Sequence, residues 1–249
     1  MSTSRLLTSS LWYSKNAPLD ITLNSDDHTT TGHIAMLLTQ HYTRWHSLVA
    51  GSDKFIPNVL PALEKLDLQK YSKVFKTLQV PHLHTIILGK LNNIHFSRFP
   101  SLCHLKCSIT HSVQLITLLA EAKQLTSLQV NYQKYSVSEV SPYSGYITSN
   151  LLELSLPTNI PKALMYISFP LLHSPTLGLP PHEYPRDIVI VNNLHCLCLS
   201  TLILNHPISI PSLYRLLSHP ISCLDLVIEA ESMYNALNST PLPHLEDLR

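Results

Sequence analysis

Five glycines in 249 residues leave little material for a Gly-rich phosphate loop, and no such loop occurs. Charge is equally scarce. Charged residues make up 13% of the chain, and 17 Lys and Arg against 16 Asp and Glu leave a formal net charge of +1. No net basic field exists to neutralise a run of phosphates, so no nucleic acid is expected as a partner. Apolar runs are short as well. The richest, Ile188 to Leu199, is broken by Asn192, Asn193 and His195. It falls short of the roughly 18 uncharged apolar residues a bilayer span needs, so no membrane is expected either. The N-terminus lacks the continuous apolar stretch of a signal peptide. Five cysteines, an odd number without an export signal, read as reduced thiols in a cytoplasmic or nuclear protein. Neither His-Glu-x-x-His nor Gly-x-Ser-x-Gly is present. Nothing points to an enzyme, a catalytic residue or a cofactor, and a hydrolase has no motif in its favour.

What the chain has is leucine and proline in a pattern. Hydrophobic residues make up 45% and prolines number 18. Five times an apolar residue and a proline lead into one short run: Leu60-Pro61, Val80-Pro81, Phe99-Pro100, Phe169-Pro170 and Leu242-Pro243. Each leads into a run built on the Leu-x-x-Leu-x-Leu spacing, as in Leu63-Glu-Lys-Leu66-Asp-Leu68, with Pro175 in the fourth and the fifth cut short at Leu248-Arg249. The first leucine-type position recurs at Trp45, Leu63, Leu83, Leu102, Leu125, Leu151, Leu172, Leu194, Ile221 and Leu245. The intervals of 18 to 27 residues average about 22, within the roughly 20–29 of leucine-rich repeats. The expected fold is α/β: an irregular leucine-rich-repeat solenoid with a parallel concave sheet and mixed helical and extended convex segments. It forms a single domain over 1–249, with a helix-strand-helix lead-in at 1–44 and the repeat array at 45–249.

The fourth and sixth positions of each unit differ by two, so on a strand they point to one side, inward. The third, fifth and seventh face the other way. That register puts the candidate partner-binding face on Lys65, Asp67, Gln69, Thr85, His104, Lys106, Gln129, Asn131, Glu153 and Asp225. Ile87, Ser155, Cys196 and Cys198 fall in the same register. The face carries mixed charge and no aromatic anchor, so a polar protein surface is its expected partner. Tyr132, Tyr135, Tyr143 and Tyr146 in the 131–149 connector form a second candidate contact. The proline two residues before the first leucine should end any helix and give an extended approach to the strand. Convex helices are expected over Ile34–Tyr42, over Val113–Ala122 with a stripe at Val113, Ile116 and Leu119, and from Pro161 and Pro211. Pro175 takes a position where a core leucine is expected, and only Asn159 supplies the ninth-position Asn of a regular repeat.

The segment Leu11 to Leu23 contains Ala17-Pro18-Leu19-Asp20-Ile21, and Arg44-Trp45-His46-Ser47-Leu48 follows the first expected helix. Together they resemble the region just after the F-box in mushroom-type fungal F-box/leucine-rich-repeat proteins, and the resemblance extends over essentially the whole chain. It implies the substrate-binding part of a receptor for a cullin ubiquitin ligase, holding an unknown target protein. No F-box is visible before Arg5, and the chain stops at Arg249 in mid-repeat. It therefore reads as a fragment, with a Skp-type adaptor as partner only if an F-box lies upstream. A stand-alone scaffold with no ubiquitin role is the alternative.

Two constellations invite zinc: Cys103-His104-x-x-Cys107 with His111, and His195-Cys196-x-Cys198. The register opposes a metal, since it sends Cys107 into the core while Cys196 and Cys198 lie a strand layer or more away. His82 and His84 read as edge histidines alternating on one strand.

Overall fold

A computed structural model describes residues 3–23, 28–51, 56–68, 74–91, 94–132, 147–156, 167–177, 201–204 and 223–226. The chain divides into two compact units, 1–107 and 108–249. Both are α/β with parallel strands.

The first unit begins with helix α1 (Thr3–Tyr13), which buries Leu11 and ends on Lys15 at φ 45°. That left-handed turn is the usual way to stop a helix, although Gly or Asn is the commoner residue. Strand β1 (Leu19–Leu23), helix α2 (His28–Thr39) and a 3₁₀ turn at Tyr42–Arg44 follow. Then come β2 (Trp45–Ala50), β3 (Lys65–Leu68), β4 (Thr85–Leu88) and β5 (His104–Ile109), whose last two residues pass into the second unit. Each strand pairs in parallel with the next in sequence. Leu48, Leu66, Ile86 and Leu105 are aligned by this register, and all are buried. So are the first-position residues Trp45, Leu63, Leu83 and Leu102. A fully buried side chain of this size contributes about 1.5–3 kcal/mol, and only stacking neighbours can bury it.

The prolines behave differently from the expected extended approach. Leu63 N–H donates to Leu60 C=O at 3.3 Å, Leu83 to Val80 at 3.2 Å and Leu102 to Phe99 at 3.1 Å. Each apolar-Pro-x-Leu run is thus a hydrogen-bonded β-turn with Pro at its second position. The pyrrolidine ring presets the φ needed there, and no N–H is lost from the ladder. Beneath the turns, Phe75 and Phe99 pack edge to face with ring centroids 6.0 Å apart.

The second unit contains α3 (Ser112–Glu121), β6 (Ser127–Tyr132), β7 (Ile147–Thr148), β8 (Glu153–Leu156), β9 (Ile167–Ser168), β10 (Ser174–Leu177), β11 (Thr201–Leu204) and β12 (Cys223–Leu226). Strands β6, β8, β10, β11 and β12 are neighbours in that order, all parallel, and β7 pairs with β9 separately. Helix α3 starts where Gln114 Oε1 accepts the backbone N–H groups of Thr110 and His111, at 2.9 and 3.1 Å. It buries Leu115, Ile116, Leu118, Leu119 and Ala122, while Val113 is 40% exposed. The expected stripe therefore holds at Ile116 and Leu119 and fails at Val113, because the buried face is centred further round the helix. α2 likewise ends at Thr39, short of the expected Tyr42.

Pro175 aligns with Leu154 and is buried, so a proline ring fills the place of the leucine. A second shift concerns the unit expected at Leu194. The strand that pairs with β10 is β11, with Thr176 opposite Ile203 and Leu202 opposite Leu224. The spacing in use is Leu202-x-Leu204, five residues later than the expected Leu197-x-Leu199. Two frames of the same spacing overlap in this leucine-rich run, and only pairing with the neighbours selects one. The segments expected to be helical from Pro161 and Pro211, Asn159, the run 188–199 and the unit at Leu245 lie outside the described residues, except that Ile167 opens β9.

Candidate partner-binding face

In the first unit two rows of side chains run across the strands on the side away from the core. Asp20, Ser47, Lys65, Thr85 and His104 share one register line; Thr22, Val49, Asp67, Ile87 and Lys106 share the other. Lys65, His104 and Lys106 are exposed, and Thr85 and Asp67 are half-buried. Gln69 lies outside the described residues. In the second unit Ser127 aligns with Glu153, and Gln129 aligns with Ser155, Thr176, Ile203 and Asp225 along the strands. Glu153 is exposed, Gln129 and Asn131 are half-buried, and Asp225 is placed by register alone. Cys196 and Cys198 lie outside the described residues. Of the four tyrosines, Tyr132 closes β6 and the others lie outside the described residues.

Asp67 is the unusual member. Its Oδ1 is buried without a hydrogen-bond partner, the one such side-chain atom found among the described residues. Its cross-strand neighbours are Val49 and Ile87, which offer no donor. A buried, unsatisfied carboxylate oxygen is costly, on the order of 1–3 kcal/mol.

The residues of the Arg44–Leu48 motif tie the lead-in to the strands. Arg44 Nε donates to Ala17 C=O at 2.9 Å, and a terminal guanidinium nitrogen donates to Ser14 Oγ at 2.7 Å. Trp45 is fully buried and its indole N–H donates to Leu38 C=O at 3.1 Å. His46 Nδ1 lies 3.2 Å from Asp20 Oδ1 and its Nε2 3.3 Å from Glu64 Oε2. His84 Nδ1 approaches the same Glu64 oxygen at 3.9 Å. The hydrogen bond to Asp20 holds the His46 pKa above its ordinary 6.5, assisted by the charges of Glu64 and Asp20 and opposed by partial desolvation.

This cluster was not anticipated from sequence. Three of its members, His46, Glu64 and His84, occupy the second position of successive units, at intervals of 18 and 20 residues, and that offset was the available signal; Asp20 joins them from β1. His82 and His84 do not alternate on a strand: His82 lies in the Pro81 turn and His84 just before β4.

Of the zinc candidates, His195-Cys196-x-Cys198 lies outside the described residues, and the ligands of the other separate. Cys107 is buried on the core side, where desolvation pushes its thiol up to about 12, and His104 is exposed on the opposite side. Among the described residues no group of three His, Cys, Asp or Glu side chains is placed to hold a metal ion. Among the same residues no helix is long and apolar enough to cross a membrane. In comparisons with known proteins the chain matches no family model, no curated protein and no solved structure.

Proposed function

We propose that this chain is a leucine-rich-repeat solenoid that binds a target protein on the rows facing away from its core. In this reading it is a cytoplasmic or nuclear interaction module and not an enzyme. The observation that carries it is the outward register, with Asp67 at its centre. A carboxylate oxygen kept buried and unpartnered works against stability, which favours a role in recognition. Lys65, Thr85, His104 and Lys106 around it offer both charge signs and hydrogen-bonding groups to a polar protein surface.

The resemblance of Ala17–Ile21 and Arg44–Leu48 to F-box/leucine-rich-repeat proteins extends the proposal to a ubiquitin-ligase receptor. The module would then act by tethering, raising the effective concentration of its target beside a ligase that carries the chemistry. The test is affinity capture with the product of the full transcript, comparing wild type with the outward double variant Lys65→Glu/Lys106→Glu. A captured protein lost from the double variant, but retained by an exposed change off these rows such as Val113→Thr, supports the face. Co-purification of a Skp-type adaptor supports the ligase role. Target capture without any adaptor favours the stand-alone scaffold instead.

A further inference from the structure

The pairing of β1 with β2 slips by one residue at its start. Leu19 aligns with Trp45, but Asp20 aligns with Ser47, which leaves His46 as the extra residue. A bulge of this kind re-aims a side chain. Here it sets the imidazole between carboxylates from two different elements, Asp20 of β1 and Glu64 just before β3. Both ring nitrogens therefore face acceptors. Neutral imidazole has one N–H and must turn a lone pair toward one of those oxygens, whereas imidazolium donates to both.

The other charged or titratable groups on the packed elements are Tyr42, Arg44, Lys65, Asp67 and His84, with Asp67 on the second outward row beside Val49. Arg44 is committed to Ala17 C=O and Ser14 Oγ, Lys65 is exposed on the outward row, and His84 shares the Glu64 oxygen. None of them competes for Asp20 in the way His46 does.

We propose that His46 is a proton-operated latch that fastens the end strand β1 to β2 and to the segment leading into β3. With the proton bound, one ring spans Asp20 and Glu64. When the proton leaves, the ring donates to only one of the two carboxylates, so the link from β1 through His46 to the segment before β3 is broken and β1 is held less firmly. β1 carries Asp20 and Thr22, the first members of the two outward rows. If those rows bind a target, the latch also makes that end of the face pH-dependent; this consequence rests on the binding reading, whereas the latch does not.

The test uses the full chain. Ring NMR gives the titration midpoint of His46, and amide hydrogen exchange gives the protection of residues 19–23, from about pH 5.5 to about pH 8.5. Asp20→Asn and Glu64→Gln, both near-isosteric and at exposed positions, should each lower the His46 midpoint. In wild type, protection of the β1 amides should fall several-fold as the pH rises through that midpoint, and in His46→Gln it should not. A midpoint equal in wild type and both carboxylate variants would overturn the proposal. So would β1 protection that follows the same pH profile in wild type and His46→Gln.

Discussion

Asp67 and Cys107 lie on opposite sides of the same kind of strand, and each makes a measurable statement about it. Asp67 keeps an unpartnered oxygen between Val49 and Ile87. Asp67→Val removes that oxygen and adds a β-branched side chain to a half-apolar row. It should raise stability by about 1 kcal/mol in a urea titration while abolishing target capture. Cys107 sits in the core with its thiol pushed up to about 12, whereas Cys103 is half-buried with Sγ 3.3 Å from Ser101 C=O. A maleimide at about pH 7.5, read by peptide mass spectrometry, should label Cys103 in the native protein and Cys107 only after unfolding. Both outcomes depend on which side of the strand a residue faces. That was legible from the Leu-x-x-Leu-x-Leu spacing, because a strand alternates its side chains strictly.

For the helices and turns the periodicity was less informative. Helix α3 was visible between Val113 and Ala122, but its buried face only in part, at Ile116 and Leu119, since a helix rich in Leu and Ile offers more than one apolar stripe. The structure centres the buried face on Leu115, Ile116, Leu118 and Leu119. Ile116→Ala should therefore cost about 2–5 kcal/mol in denaturant midpoint analysis, and Val113→Ala within about 0.5 kcal/mol of nothing. The Pro turns show the converse. Their positions were plain in the sequence, while the hydrogen bond from Leu63 to Leu60 and its equivalents emerged only with the fold. Trp45 joins both themes: its spacing marked it as core, and its indole N–H also closes on Leu38 at the end of α2. Trp45→Phe, which keeps most of the packing and loses that bond, should cost about 1–2 kcal/mol.

Across the chain, the ionisable cluster at the start of β2 to β4 gives stability a pH dependence with a definite sign. His46 binds its proton more tightly folded than unfolded, so its contribution is fully present below the ordinary pH of 6.5. It is lost as pH rises through the higher folded value. The groups are solvent-facing, with His46 43% and Asp20 78% exposed at the side chain, so the effect should stay below about 1 kcal/mol. The denaturant midpoint of wild type minus that of His46→Gln should fall from about pH 6 to about pH 8, and the fall should shrink in high salt.

Strand alternation and a recurring interval were enough to place β2 to β6, β8, β10 and β12, the buried columns from Trp45 to Leu102, and the outward positions from Lys65 to Lys106. These follow from local geometry that any strand obeys. Three features needed the tertiary arrangement: the frame of β11, the side chains meeting at His46, and the orphaned oxygen of Asp67. Each is a relation between residues roughly 20 or more apart in sequence, settled by which strand lies beside which and in what register. Alternation within one strand carries no information about that.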